Sequence, residues 1–196
     1  MKNTASLLIF LISFTLIAQE TMNDSLPYAN IPEAPETYTA GTVVSRMVDG
    51  LGFRYYWATE GLRAKDMDYK PSNEGRTIAE TMNHLYNLSR TILNSAKKLP
   101  NDRTTSQGKP DRGDLRKLTL YNLQEASVLF KKAKDLSQHS VIFISSKGTS
   151  EFPFWNNING PIEDAIWHAG QVVVMRRSAG NPINPKVNVF LGKLND

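Results

Sequence analysis

The sequence contains no cysteine. That single absence removes thiolate nucleophiles, Cys-ligated zinc, iron–sulfur clusters and disulfides. Only three histidines are present, His84, His139 and His168, so an imidazole-based metal site must draw on these and on carboxylates. No Gly-rich phosphate loop occurs. No sign of charge dominates: 23 Lys and Arg against 19 Asp and Glu leave +4. The basic residues are scattered apart from the pairs Lys97-Lys98, Lys131-Lys132 and Arg176-Arg177. Such pairs suit solvated helix faces and not a nucleic-acid footprint, so nucleic acid is not an expected partner. The one long apolar run, Leu7 to Ile17, is too short to span a bilayer comfortably.

With Lys2 before it and Ala18 after it, that run reads as a secretory signal peptide over residues 1–18. An uncleaved N-terminal anchor is the alternative. The expectation is export, periplasmic or secreted, with a mature chain beginning near Gln19 and no stable membrane anchor. Residues 19–37 hold three prolines and little periodicity, and read as an extended linker. Residues 38–196 then make one domain, long enough to bury a core.

Four amphipathic helices are expected in that domain. Val44, Val48, Leu51, Tyr55, Ala58 and Leu62 step by three and four, which predicts a first helix from about Thr39 to Leu62. Gly50 and Gly52 in it would allow close helix packing. Thr77 followed by Glu80 fits a capping box and opens a second helix, which carries His84. Residues 97–113 are a long polar connection. A third helix starts near Asp114, with Leu115, Leu118, Tyr121 or Asn122, Val128 or Leu129, and Leu136 on its apolar side. His139 falls at its frayed end and is the weakest ligand candidate. VIFIS (141–145) is a short strand or an apolar plug, and GTSEFPFWNNIN is an aromatic-rich loop. The alternation of Val187, Val189 and Leu191 predicts a short extended tail.

The fourth helix is the chemically informative one. In GPIEDAIWHAGQVVVMRRSAGNP (160–182), Pro161 suits a first helical position. Glu163 and Asp164 follow in the first turn, and Gly180 with Pro182 is a stop signal. Asp164, His168, Gln171 and Met175 share one face. A carboxylate and an imidazole one turn apart can converge on one metal ion; a hydrogen-bonded core helix is the plainer reading of the same spacing.

Together, RTIAETMNHL (76–85) and DAIWHAGQVVVMRRSAGNP (164–182) resemble the DinB-like four-helix-bundle superfamily, over most of residues 38–182. The resemblance implies an all-α fold, a DinB-like four-helix bundle with long connections. It also implies a divalent metal held by one His on the second helix and an H-x-x-x-H pair on the fourth. Those positions fall on His84, Asp164 and His168, the last within H-A-G-Q. Asp164 is a departure from the family's His, although two imidazoles and one carboxylate with open positions remain a competent divalent site. Zinc or nickel is the metal implied, with iron or manganese as alternatives. Gln171 is a candidate to support the ligands, and Glu80 to orient the His84 imidazole.

Characterised relatives include thiol-dependent S-transferases and an isomerase. The resemblance therefore implies a metal-dependent hydrolase or thiol S-transferase acting on a small molecule, with an external nucleophile because the chain has no Cys. Glu80 and Glu163 are the available general bases, and no residue is assigned a catalytic role. The alternative is a non-catalytic bundle that binds metal, or a small apolar ligand behind Trp155 and Trp167, or that exists as a homodimer.

Overall fold

A computed structural model describes residues 25–105, 108 and 110–196; the expected signal peptide lies outside them. The described chain is mostly helical. Helix α1 spans Ala40–Thr59, capped by Thr39, whose hydroxyl accepts from the Thr42 N–H. A short α2, Ala64–Met67, was not foreseen. Helix α3 spans Ile78–Lys97 and opens with the expected capping box of Thr77 and Glu80. Helix α4 spans Asp114–Lys131. The short α5, Trp155–Asn157, leads through one wide turn into α6, Glu163–Ser178.

Helices α1 and α3 each pack against both α4 and α6. The core lies between these four, with Val48, Tyr55, Ile78, Leu85, Phe130 and Val172 fully buried. Each of these apart from Tyr55, whose hydroxyl is buried without a partner, contributes about 1.5–3 kcal/mol on burial. The seam foreseen for α1 is buried from Val44 to Ala58, but Leu62 lies beyond the helix end. Gly52 does not admit a neighbouring helix: a Cβ there would strike the ring of Tyr28 at 2.5 Å. Gly41 is the position where α1 meets α4 closely, against the carbonyls of Phe130 and Ala133.

The stretch read as a linker is packed where it is described. Tyr28 is buried and donates to Asp49 Oδ1 at 3.0 Å, and Trp57 donates through its indole N–H to the Ala29 carbonyl. Burial pushes the Tyr28 phenol above its ordinary range, and burial also raises the Asp49 carboxyl.

Helix α4 corrects the expected apolar side. Leu115, Leu120, Leu123, Ala126 and Phe130 are buried, together with Thr119 and Ser127, whereas Leu118, Tyr121 and Val128 are exposed. The small hydroxyl residues belong to the buried face because they let the helices approach: Ser45 and Ser127 hydroxyls meet at 2.8 Å.

Residues 141–152 form a hairpin, correcting the loop reading of its second half. Strand β1, Asn101–Asp102, lies parallel to β2, Val141–Ser145, which pairs antiparallel with β3, Gly148–Phe152. Gly148 takes the left-handed φ of +116° that the tight turn needs. At the C-terminus, β4, Val187–Asn188, and β5, Lys193–Leu194, fold back on each other. The extended tail is thus a small hairpin, with Val189, Phe190 and Leu191 exposed in its turn.

Pro161 is not a first helical residue. Helical backbone already runs from Trp155, and in a regular helix the Pro161 ring would strike the carbonyl four residues back. The chain widens instead over Ile158–Ile162, and the Glu163 N–H reaches the Ile158 carbonyl, five residues back. The end of α6 follows the expectation. Gly180 has a φ of +73°, the Gly180 N–H bonds Arg177 O at 3.0 Å, and the Asn181 N–H bonds Arg176 O at 2.8 Å. That is a Schellman pair of bonds.

Candidate metal centre

Helix α6 packs against α3, and the buried residues of its first half are small. Ala165 and Ala169 are both buried there, so short side chains can bridge the two helices. Asp164 and His168, one turn apart on α6, then face His84 on α3. The Asp164 carboxylate stands between the two rings. Its Oδ2 is 3.1 Å from His84 Nε2, and its Oδ1 is 3.3 Å from His168 Nε2. The rings sit edge to face with centroids 4.6 Å apart. One ligand atom from each residue lies within 4.8 Å of the others, and the cluster can hold a metal ion.

Tetrahedral geometry sets the scale for the donor set. Ligand bonds of about 2.0–2.1 Å in tetrahedral geometry separate the ligand atoms by roughly 3.3 Å. The two His–Asp separations, 3.1 and 3.3 Å, are of that size but are made to different carboxylate oxygens, and one ligand atom from each residue lies within 4.8 Å of the others, so a small inward movement of the side chains would close the set on one ion. The site is half-open, with Asp164 38% and His84 31% exposed but His168 only 13%. Water or a small molecule can therefore reach it while the helices fix its walls.

The hydrogen bonding of His168 adds an electrostatic argument. With the Gln171 amide oriented so that Oε1 accepts, His168 Nδ1 donates to it at 2.8 Å. In the neutral tautomer with Nδ1–H, the lone pair is on Nε2, 3.3 Å from Asp164 Oδ1; in the other tautomer, Nε2–H donates to that oxygen. A lone pair facing a carboxylate is repulsive unless a proton or a cation lies between them. Gln171 holds the orientation of the His168 ring, as a supporting partner of a metal-bound imidazole would.

Glu80 does not support His84. Its carboxylate accepts from the Thr77 N–H at 2.8 Å and from the Thr77 hydroxyl at 3.2 Å, which hold it below the usual carboxylate range. The capping role wins because the backbone N–H it satisfies has no other partner within the helix. Glu163 is exposed at the start of α6. His139 lies outside the cluster, buried against Phe130, and its Nδ1 donates to the Ser95 carbonyl at 3.1 Å. The same Ser95 donates to His139 O, and Asn157 donates to Ser95 Oγ. This network ties α3 to the turn before the hairpin and to α5, a structural task.

Trp155 and Trp167 belong to different places. Trp155 borders an apolar cavity of about 960 Å³ between α1 and the hairpin, which no cluster residue lines. Trp167 borders another, of about 760 Å³, which has His168 in its wall. The opposite wall comes from Pro71, Gly75 and Arg76, in the segment between α2 and α3. Its polar composition carried no signal of that role.

No protein-family model matches this chain, and neither the curated proteins nor the solved structures give a match.

Proposed function

We propose that the chain is an exported DinB-like four-helix-bundle protein whose His84, Asp164 and His168 bind one divalent metal. The observation that carries this reading is the convergence of two imidazoles and one carboxylate from α3 and α6. Zinc or nickel suits two imidazoles and a carboxylate, and iron or manganese is compatible with the same set. A metal held by three protein ligands supplies Lewis acidity at an open coordination position.

The reaction supported best is metal-dependent hydrolysis of a small molecule or transfer to an external thiol. The protein's residues would divide the work. His84, Asp164 and His168 hold the metal, and Gln171 keeps the His168 ring in place. The half-exposed side of Asp164 leaves room for a reactant. The alternative is a non-catalytic metal-binding bundle in which the fourth position is closed.

Cobalt(II) substitution separates these readings. The expected result is one cobalt per chain with a visible d–d spectrum, and a new near-ultraviolet charge-transfer band on adding mercaptoethanol. A cobalt spectrum indifferent to thiol, azide and pH would favour the closed, non-catalytic site.

Export rests on Lys2, the apolar run 7–17 and Ala18. No helix of the described residues is long and apolar enough to cross a membrane. The natively produced protein should have a mass matching a start near Gln19. Intact Met1 on cytoplasmic protein would sink the export reading.

A further inference from the structure

The cavity beside His168 has features that the metal does not require. It measures about 760 Å³, within the roughly 300–1,000 Å³ of small-molecule sites. Its floor on α6 is apolar: Trp167 is 72% exposed and Val174 59%, with Met175 beneath them. Two large apolar side chains left in solvent on the helix that carries two cluster residues call for a partner surface.

Gly170 sits between them in the middle of α6. A helix-interior glycine costs about 0.5–1 kcal/mol relative to Ala. Nothing in the fold requires it here, since a Cβ added at Gly170 would meet no atom within 4 Å and its backbone is helical. What the missing side chain preserves is open space, and that space is the cavity.

The Thr81 hydroxyl in the cavity lining already donates to the Thr77 carbonyl, at 2.9 Å. Arg76 forms the wall opposite His168 and makes no ion pair among the described residues. The nearby Glu80 carboxylate is committed to Thr77. Gln171 spends its carbonyl oxygen on His168, which leaves its amide N–H groups for another acceptor. Both unpaired groups are hydrogen-bond donors, and one carries a positive charge.

We propose that this cavity binds small molecules that combine an apolar body with an anionic group. Arg76 pairs with the anion, the body lies over Trp167, Gly170 and Val174, and the end nearest His168 is the part presented to the metal. Only that last assignment rests on the metal reading above.

Calorimetric titration of 4-phenylbutanoate and its neutral analogue 4-phenylbutanamide tests the proposal, each against zinc-treated and chelator-treated protein. A charge-assisted pair with Arg76 should favour the carboxylate about tenfold in both preparations. Arg76→Gln should abolish the preference while the amide binds as before. Gly170→Phe should weaken both ligands at least about tenfold by filling the space, with the circular dichroism spectrum unchanged. Several results would overturn the proposal: equal binding of the two ligands, a preference that survives Arg76→Gln, or ligand binding unaffected by Gly170→Phe. A preference seen only with zinc and kept in Arg76→Gln would place the anion on the metal, also against the proposal. Failure of the protein to bind zinc would instead count against the metal reading, and the chelator-treated arms would still decide the cavity.

Discussion

Asp164→Ala is expected to lose the metal while the protein stays folded. The carboxylate sits between His84 and His168, and removing it leaves two imidazoles without the oxygen that bridges their geometry. Loss of a supporting hydrogen-bond partner alone costs about 10–100-fold in metal affinity, so loss of a ligand should exceed about 100-fold. The fold should survive because Asp164 is half exposed and contributes nothing to the apolar seam. Any helix-dipole contribution is worth about 0.3–1 kcal/mol at most. Asp164→His should keep the metal and shift preference toward zinc, since three imidazoles suit that ion. Metal content and melting temperature, measured on both variants, check this. Full metal occupancy in Asp164→Ala would remove Asp164 from the site.

The largest expected loss of stability comes from Arg176. This side chain is buried, and its guanidinium donates to the carbonyls of Ala58 at 3.0 Å, Glu60 at 2.7 Å and Asn181 at 2.7 Å. The first two are orphan carbonyls at the end of α1. Burial lowers the Arg176 pKa from its ordinary value, but the Asp66 and Glu60 carboxylates oppose that. Asn181 also donates to Asp66 Oδ2, and Arg63 pairs with Asp66, so one polar cluster joins the ends of α1 and α6 to α2. Arg176→Ala leaves three carbonyls unpaired, at about 1–3 kcal/mol each where they stay buried, and should cost about 3–5 kcal/mol, a fall of about 10 °C in melting temperature. A drop under about 2 °C, less than the loss of a single kcal/mol, would mean that water replaces the guanidinium.

The same junction sets an acid limit. Hydrogen bonds from the Arg63 side chain, the largest cause, hold the Asp66 carboxyl well below the usual range. A depressed native pKa gives stability that is present above the unfolded value, about 3.9, and lost as pH falls through the native value. Wild-type stability should therefore decline below about pH 4, and in Asp66→Asn the decline should be shallower. Denaturant midpoints measured from pH 6 down to pH 2 check this sign.

Two residues of the candidate cluster, Asp164 and His168, were legible from helix spacing, whereas His84 joined them only through the resemblance. Thr77 and Glu80 mark the start of α3, and Asp164, His168 and Gln171 recur on one face of α6. The meeting of α3 with α6 was legible only through the resemblance. The face of α4 was not readable, because two of its buried residues are polar: Ser127 meets the Ser45 hydroxyl, and Thr119 is buried with its hydroxyl unpaired. Leu118, Tyr121 and Val128 stay exposed and misled the pattern. The wide turn at Ile158–Ile162 was hidden because Pro161 looks like a helix start wherever the preceding residues read as a loop. Strand β3 has no buried residue and so shows no alternation. The cavity wall at 71–76 depends on a tertiary approach that no local pattern encodes.

The central claim is that His84, Asp164 and His168 form one metal site. Elemental analysis of natively produced protein, purified without a His tag, tests it most directly. The account predicts close to one equivalent of a divalent transition metal per chain, retained on dialysis and lost in Asp164→Ala. Metal-free protein that also fails to take up zinc, nickel, iron(II) or manganese after equimolar addition would contradict it.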